Sequence, residues 1–284
     1  MNQRLLLVGL ASAAAAVLSV VAAVADGPDR PGGPDGRPTV PALVADHLPT
    51  AAAGNPPAAE RAPERGLPSC ERQHDTAILL VAFGSTYPEP HATYARQLDY
   101  FRRAFPDADL FLAFTSGVCI RRWEARTGER FYTPGQWLAV LGAKGYRQVA
   151  VQSLHIFPGQ EYRLLDDCVG DSALPSLCCG SALLTSDRDI EQVAAVLVDR
   201  YAAELAAGEA VVFMGHGNGR AEYRATNEAY ARLERAMQAT AAVRFGNDRV
   251  FVGTVEYEPM NLAYVLGQLA AKGVPKETPV QLHP

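Results

Sequence analysis

Apolar positions along the chain follow two alternating rhythms. Ala77–Phe83 (AILLVAF), Leu110–Thr115 (LFLAFT), Val149–His155 (VAVQSLH) and Val250–Glu256 (VFVGTVE) are short, nearly continuous apolar runs, as is the start of Ala210–Gly219 (AVVFMGHGNG). Such runs predict strands covered on both faces. Between them apolar residues recur at spacings of three and four. Tyr94, Leu98, Phe101 and Phe105 form one stripe; Ile190, Val193, Leu197, Tyr201 and Leu205 form another along a helix over Asp187–Leu205. Tyr223, Tyr230, Leu233 and Met237 mark a helix over Ala221–Ala239, and a further one is expected near Asn261–Ala271. Thr133-Pro134-Gly135-Gln136 opens another: Thr133 caps it, Pro134 suits the first turn and Gln136 completes a capping box. The segment after His155 reads as a polar, cysteine-containing stretch, followed by a short strand near Ser181–Thr185. Pro279–Pro284 (PVQLHP) opens one more strand.

Strands separated by helices of this length pair in parallel through right-handed crossovers, so the fold class is α/β with open parallel sheets. Ala206–Glu209 separates two stretches of similar plan, 75–205 and 206–284, that would face each other across a cleft. A single larger sheet is the alternative.

The first 25 residues change the picture. Arg4, an apolar run from Leu5 to Val24 and Ala23-Val24-Ala25 before Asp26 read as a secretory signal with its cleavage site. An uncleaved anchor is the other reading, since about twenty apolar residues also span a bilayer. Cleavage would leave no stable membrane span and an exported, periplasmic or extracellular protein. Residues 26–74 begin with a Pro-, Gly- and Ala-rich tract lacking apolar periodicity, and are expected to be a disordered linker. Export permits disulfides. The five cysteines, Cys70, Cys119, Cys168, Cys178 and Cys179, contain no C-x-x-C pair; Cys168 with Cys178 or Cys179 is a candidate short-loop bridge, and Cys119 reads as core. A net charge of -5 offers no basic stripe, which argues against nucleic acid as a partner.

The candidate chemistry lies where strands end, because ligands of open α/β sheets bind at the carboxyl edge. His216, between Gly215 and Gly217, ends one strand; His155, with Glu161 six residues on, ends a second; Glu256 ends a third. Gly84-Ser85-Thr86 follows the first strand, but the chain has no G-x-G-x-x-G, Walker lysine or G-x-S-x-G, so neither a nucleotide site nor a serine hydrolase is supported. Histidine with carboxylate at strand ends is a donor set for a borderline or hard divalent cation.

Val81–Tyr87 (VAFGSTY), Ala113–Gly117 (AFTSG), Val149–His155, Glu161-Tyr162, Val211–Gly217 (VVFMGHG) and Gly253–Glu256 (GTVE) together resemble the anaerobic-type sirohydrochlorin cobaltochelatases. These are class II chelatases related to protoporphyrin ferrochelatase, and the resemblance runs in order from about Asp75 to Pro284. It implies two Rossmann-like halves around a cleft for a flat tetrapyrrole, and insertion of Co2+ into sirohydrochlorin in cobalamin biosynthesis without a nucleotide. It assigns His216 as metal ligand and proton acceptor, Glu256 as second metal ligand, Glu161 to the catalytic set, and His155 with Gly84, Ser85 and Thr86 to the substrate wall. Fe2+ or Ni2+ would suit the same donors. The family continues its last strand to a second histidine ligand and further helix, whereas Val280–Pro284 aligns only with the beginning of that strand. The second half is therefore expected to be incomplete, with an exposed sheet edge that invites self-association into a homo-oligomer. His283 lies too early to replace the missing ligand. A carrier that binds a tetrapyrrole or metal without catalysis, exported like the enzyme, is the alternative reading.

Overall fold

The computed structural model describes residues 66–283. The expected signal peptide of residues 1–25, and the expected linker as far as residue 65, lie outside the described residues. Two parallel sheets organise the rest, in keeping with two Rossmann-like halves flanked by helices.

The first sheet has the order β2-β1-β3-β4, built from β1 (Thr76–Ala82), β2 (Ala108–Phe114), β3 (Gln148–Ser153) and β4 (Leu177–Cys179). β1 lies between β2 and β3 and is buried from Ala77 to Ala82, as its unbroken apolar run requires. Its side chains alternate between two cores. Ala77, Leu79 and Val81 pack with Leu138, Leu141 and Leu165 of α3 (Pro134–Ala143) and α4 (Gln160–Gly170). Ile78 and Leu80 pack with Phe101 of α1 (Pro88–Ala104). The capping box at Thr133 is present: Gln136 N–H donates to Thr133 Oγ1 at 3.3 Å and Thr133 N–H donates to Gln136 Oε1 at 2.9 Å. α2 (Gly117–Thr127) follows β2 and is capped by Ser116.

The second sheet has the order β6-β5-β7, from β5 (Ala210–Gly215), β6 (Val250–Thr254) and β7 (Val280–His283). Val211, Phe213, Val250 and Val252 meet the stripes of α5 (Asp187–Arg200) and α7 (Arg224–Phe245). Ala210, Val212 and Phe251 meet Val265 of α8 (Leu262–Ala271) on the other face. Buried Glu234 of α7 ties these layers together, accepting from Val252 N–H at 2.9 Å and from the Tyr264 hydroxyl at 2.5 Å. β7 is the edge strand opposite β6, and its Leu282 is exposed.

Five sequence expectations are corrected. The strand near Ser181–Thr185 is a turn instead: Leu183 and Leu184 donate to the carbonyls of His155 and Ile156, and the strand of this region is β4, a few residues earlier. The helix over Asp187–Leu205 breaks at Tyr201, leaving a short α6 (Ala202–Ala206). Although α5 precedes the division expected at Ala206, its apolar stripe packs on the second sheet, whose core therefore begins at Leu184. The described cysteines are all free, so Cys168 is bridged to neither Cys178 nor Cys179, while Cys119 is buried as expected.

Residues 66–74, expected as the end of the linker, are anchored. Buried Asp109 on β2 accepts from the N–H groups of Gln73 and His74, at 2.8 and 3.0 Å, and from the Tyr146 hydroxyl at 2.7 Å. His74 Nδ1 lies 2.8 Å from the same carboxylate. Burial alone would raise the Asp109 pKa, but these hydrogen bonds outweigh it and hold the carboxyl at about 2. A lowered carboxyl pKa contributes stability above the unfolded value near 4, and that contribution is lost as pH falls through 2. Asp109→Asn is expected to cost about 2 kcal/mol at neutral pH, with a wild-type-minus-variant difference that shrinks between about pH 4 and 2. Urea unfolding at stepped pH checks this; a difference independent of pH would contradict it.

Candidate functional site

β5 and β6 pair in register up to Gly215 and Thr254, so the residues just past them leave the sheet side by side. The His216 carbonyl accepts from Glu256 N–H at 2.8 Å and from Val255 N–H at 3.2 Å, which carries the parallel pairing into the loops. The two side chains then converge, with His216 Nε2 3.4 Å from Glu256 Oε1. Both are open to solvent, at 76% and 53% side-chain exposure. An imidazole nitrogen and a carboxylate oxygen at this separation, outside the core, can share one small cation or one proton.

The loop that carries His216 is held from α7. Asn227 is buried and grips Asn218 at both ends, accepting from its N–H at 3.0 Å and donating to its carbonyl at 2.6 Å. One turn later on the same helix face, the Tyr230 hydroxyl accepts from Gly217 N–H at 3.2 Å. Only glycine fits at Gly215, because a Cβ there would overlap the Tyr230 ring, and Gly217 takes a φ of +72°. On the Glu256 side, the Thr254 hydroxyl donates to the Tyr257 carbonyl at 2.7 Å and closes the turn. The sequence placed Tyr230 on a helix stripe as core and overlooked Asn227. The signal was there: an amide three residues before Tyr230, on a stripe otherwise apolar.

A second cluster forms at the carboxyl edge of the first sheet. His155 is buried; its Nδ1 lies 3.0 Å from Ser153 Oγ and its Nε2 3.3 Å from Thr115 Oγ1. Desolvation lowers its pKa to about 4, so the ring is neutral at physiological pH. Both of its ring nitrogens are engaged, so it presents no free nitrogen. Glu161 sits in the first turn of α4. Burial raises its pKa, against a hydrogen bond from Thr115 that lowers it. Its Oε2 is buried and has no hydrogen-bond partner among the described residues. Glu161 is thus a carboxyl with more affinity for a proton than an exposed one.

Gly84, Ser85 and Thr86 border this cluster from the end of β1. Gly84 has a φ of +97° and lies so close to Phe114 that a Cβ would reach 2.9 Å from its Cγ. Thr115 and Ser116 N–H donate to the carbonyls of Ala82 and Phe83, which joins the loops after β1 and β2. Phe83 and Val255, directly past β1 and β6, and Ile156, three residues past β3, all expose large apolar side chains. The two clusters communicate through aromatic packing. Phe157, two residues past His155, lies with its ring centroid 4.1 Å from that of Tyr230, and the Thr226 hydroxyl donates to the Pro158 carbonyl at 3.2 Å.

The structure therefore brings His216 to Glu256, and His155 to Thr115 and Ser153, with Glu161 in the first turn of α4. His283 stands elsewhere, packed against Tyr201 and Phe213 at 5.9 and 5.6 Å between ring centroids. Among the described residues no group of three or more His, Cys, Asp or Glu side chains is gathered as for a resident metal. No described helix is long and apolar enough to cross a membrane.

Comparison with known proteins bears on the same residues. The family model described as cobalt chelatase (CbiK) matches residues 76–284. A sirohydrochlorin cobaltochelatase of Salmonella typhimurium is 38% identical over 169 residues, which cover 57% of this chain and 61% of that protein. Sirohydrochlorin cobaltochelatase CbiKC of Nitratidesulfovibrio vulgaris is 33% identical over 216 residues, 75% of this chain and 71% of its own. The matched span takes in both sheets and both carboxyl-edge clusters, and the chain belongs to the cobalt chelatase (CbiK) family.

Proposed function

We propose that this chain inserts Co2+ into sirohydrochlorin without a nucleotide, in cobalamin biosynthesis. The observation that carries the reading is the 3.4 Å approach of His216 Nε2 to Glu256 Oε1 at the carboxyl ends of adjacent parallel strands. Sirohydrochlorin is the substrate for which both relatives are named. Metallation must replace water around the ion by four pyrrole nitrogens and remove two N–H protons. Imidazole and carboxylate suit a borderline divalent ion, and the carboxylate offsets its charge as hydration is lost. Two protein donors grip an ion loosely and leave most of its coordination positions open, which suits an ion that is a substrate and must leave. His216 can then accept one pyrrole proton, and Glu161, whose burial raises its proton affinity, the other. The apolar residues Phe83, Ile156 and Val255 at the strand ends offer a surface for the macrocycle face. The same donors would take Fe2+ or Ni2+, so competition among the three ions in one assay ranks them.

We further propose that the protein is exported, on the support of the leader-like first 25 residues. The mature protein recovered outside the cytoplasm is expected to begin at Asp26, and N-terminal sequencing reads this directly. A start at Met1 would contradict it.

His216→Ala is expected to lower the rate of metallation by about 100-fold or more, beyond the usual effect of losing a group that merely supports a ligand. Its circular dichroism should not change, because the side chain is exposed. Glu256→Gln should weaken Co2+ binding by about tenfold while leaving tetrapyrrole binding within about twofold. Absorbance of the metallated product and separate titrations with Co2+ and sirohydrochlorin test both. Undiminished insertion by the first variant, or equal losses in the two titrations by the second, would overturn the assignment. Tetrapyrrole binding by the wild type with no product spectrum would identify a carrier instead.

A further inference from the structure

The His216 side chain is 76% exposed, so packing does not aim it, and its direction is inherited from its backbone. That backbone is held at three consecutive residues. The His216 carbonyl accepts from Glu256 N–H at 2.8 Å, Gly217 N–H donates to the Tyr230 hydroxyl at 3.2 Å, and both backbone groups of Asn218 are bonded to Asn227. The first contact joins the His216 and Glu256 loops, and the other two come from α7. Gly217 also stands so close to the turn after β6 that a Cβ on it would lie 2.9 Å from the Tyr257 amide nitrogen. A loop seated this closely can move only away from the Glu256 turn.

An amide is the side chain this position needs. The Asn218 N–H requires an acceptor and its carbonyl a donor, so Asn227 binds in one orientation, with Oδ1 toward the N–H at 3.0 Å and Nδ2 toward the carbonyl at 2.6 Å. Asn227 is 1% exposed, near the start of a helix whose Tyr230, Leu233 and Met237 lie in the core. Moving Asn218 would leave that buried amide unpaired at both ends. The loop is thereby fixed to the core of the second sheet at a point two residues from His216.

We infer that Asn227 is a positioning residue of the site: its amide fixes Asn218 by both backbone groups and so holds His216 Nε2 where it can share one ion with Glu256 Oε1. The inference deepens the chelatase reading and rests on it in naming Co2+ as that ion. Asn227 acts through Asn218 and donates nothing to the ion. Its contribution is a preformed pair, since donors that the ion itself must gather bind it more weakly.

The titratable and charged groups nearby are engaged otherwise. Burial raises the pKa of Tyr230, against the Gly217 hydrogen bond that lowers it, so its hydroxyl stays neutral. Arg220 pairs with Glu222 at 3.5 Å, and Arg163 lays its guanidinium over the Tyr223 ring at 4.9 Å. Arg224 and Glu228, on α7 itself, are exposed.

The test uses the full chain with Asn227→Leu, which removes both bonds, and Asn227→Asp, which keeps the shape. Each is first checked for wild-type circular dichroism. An ionised carboxylate sets an oxygen against the Asn218 carbonyl, whereas a protonated one has an O–H to donate and restores both bonds. Amide hydrogen exchange is read by NMR at Asn218 and Glu256 and divided by that at Phe251, within β6. Asn227→Leu should raise this ratio about tenfold over the wild type. In Asn227→Asp the ratio should match the wild type at about pH 5 and exceed it about tenfold at about pH 8, because burial raises the pKa of the introduced carboxyl into that range. Titration with Co2+ alone should show about tenfold weaker binding by Asn227→Leu, with His216→Ala as the floor. Glu256 exchange that moves only in step with Phe251 would reveal a general loss of stability and overturn the inference, as would an unchanged Co2+ affinity. If the wild type binds Co2+ no better than His216→Ala, the chelatase reading fails, and the exchange ratios still decide whether Asn227 holds the loop.

Discussion

A single backbone contact sets the geometry of the His216–Glu256 pair: the His216 carbonyl accepting the Glu256 amide, one step beyond the last rung of the β5–β6 ladder. Parallel strands normally diverge into separate loops once their ladder ends. Here the pairing persists just long enough to deliver an imidazole and a carboxylate to one point above the sheet. Everything that makes this extension feasible is local and steric. Gly215 leaves room for the Tyr230 ring, Gly217 takes a left-handed turn, Asn227 satisfies both backbone groups of Asn218, and the Asn218 side chain accepts from Arg220 N–H within the loop.

The two carboxyl-edge clusters are built on opposite electrostatic principles. His216 and Glu256 are exposed, so an ion can reach them while still hydrated and exchange water for ligands gradually. Glu161 and His155 are enclosed, and desolvation keeps the imidazole neutral while it raises the proton affinity of the carboxyl. Collecting a cation and collecting a proton make incompatible demands on solvent access, and in the function proposed above the two sheets would divide that labour. Phe157 against Tyr230 joins the divisions: the same tyrosine that holds the His216 loop is packed by the loop that follows His155.

How much of this was legible in the sequence follows from what each segment buries. The central strands were readable because both their faces are covered, which forces unbroken apolar runs. α4 was not, because Leu165 is its one buried residue and the remainder of its pattern reflects solvent. Ser181–Thr185 looked like a strand because Ala182 and Leu184 are buried, although the backbone there is a turn that borrows the carbonyls past β3. At the site, His216, Glu256 and His155 were identifiable as strand-end groups, and Glu161 as the carboxylate six residues past His155. Asn227 was recoverable as the polar break in an apolar stripe.

The account stands or falls on whether His216 and Glu256 close on the same ion. Crystals of the protein soaked in Co2+, measured on both sides of the cobalt absorption edge, locate the ion without reference to activity. One anomalous peak within about 2 Å of both His216 Nε2 and Glu256 Oε1 is the expected result. A peak bound elsewhere, with the two side chains turned away from each other, would contradict it.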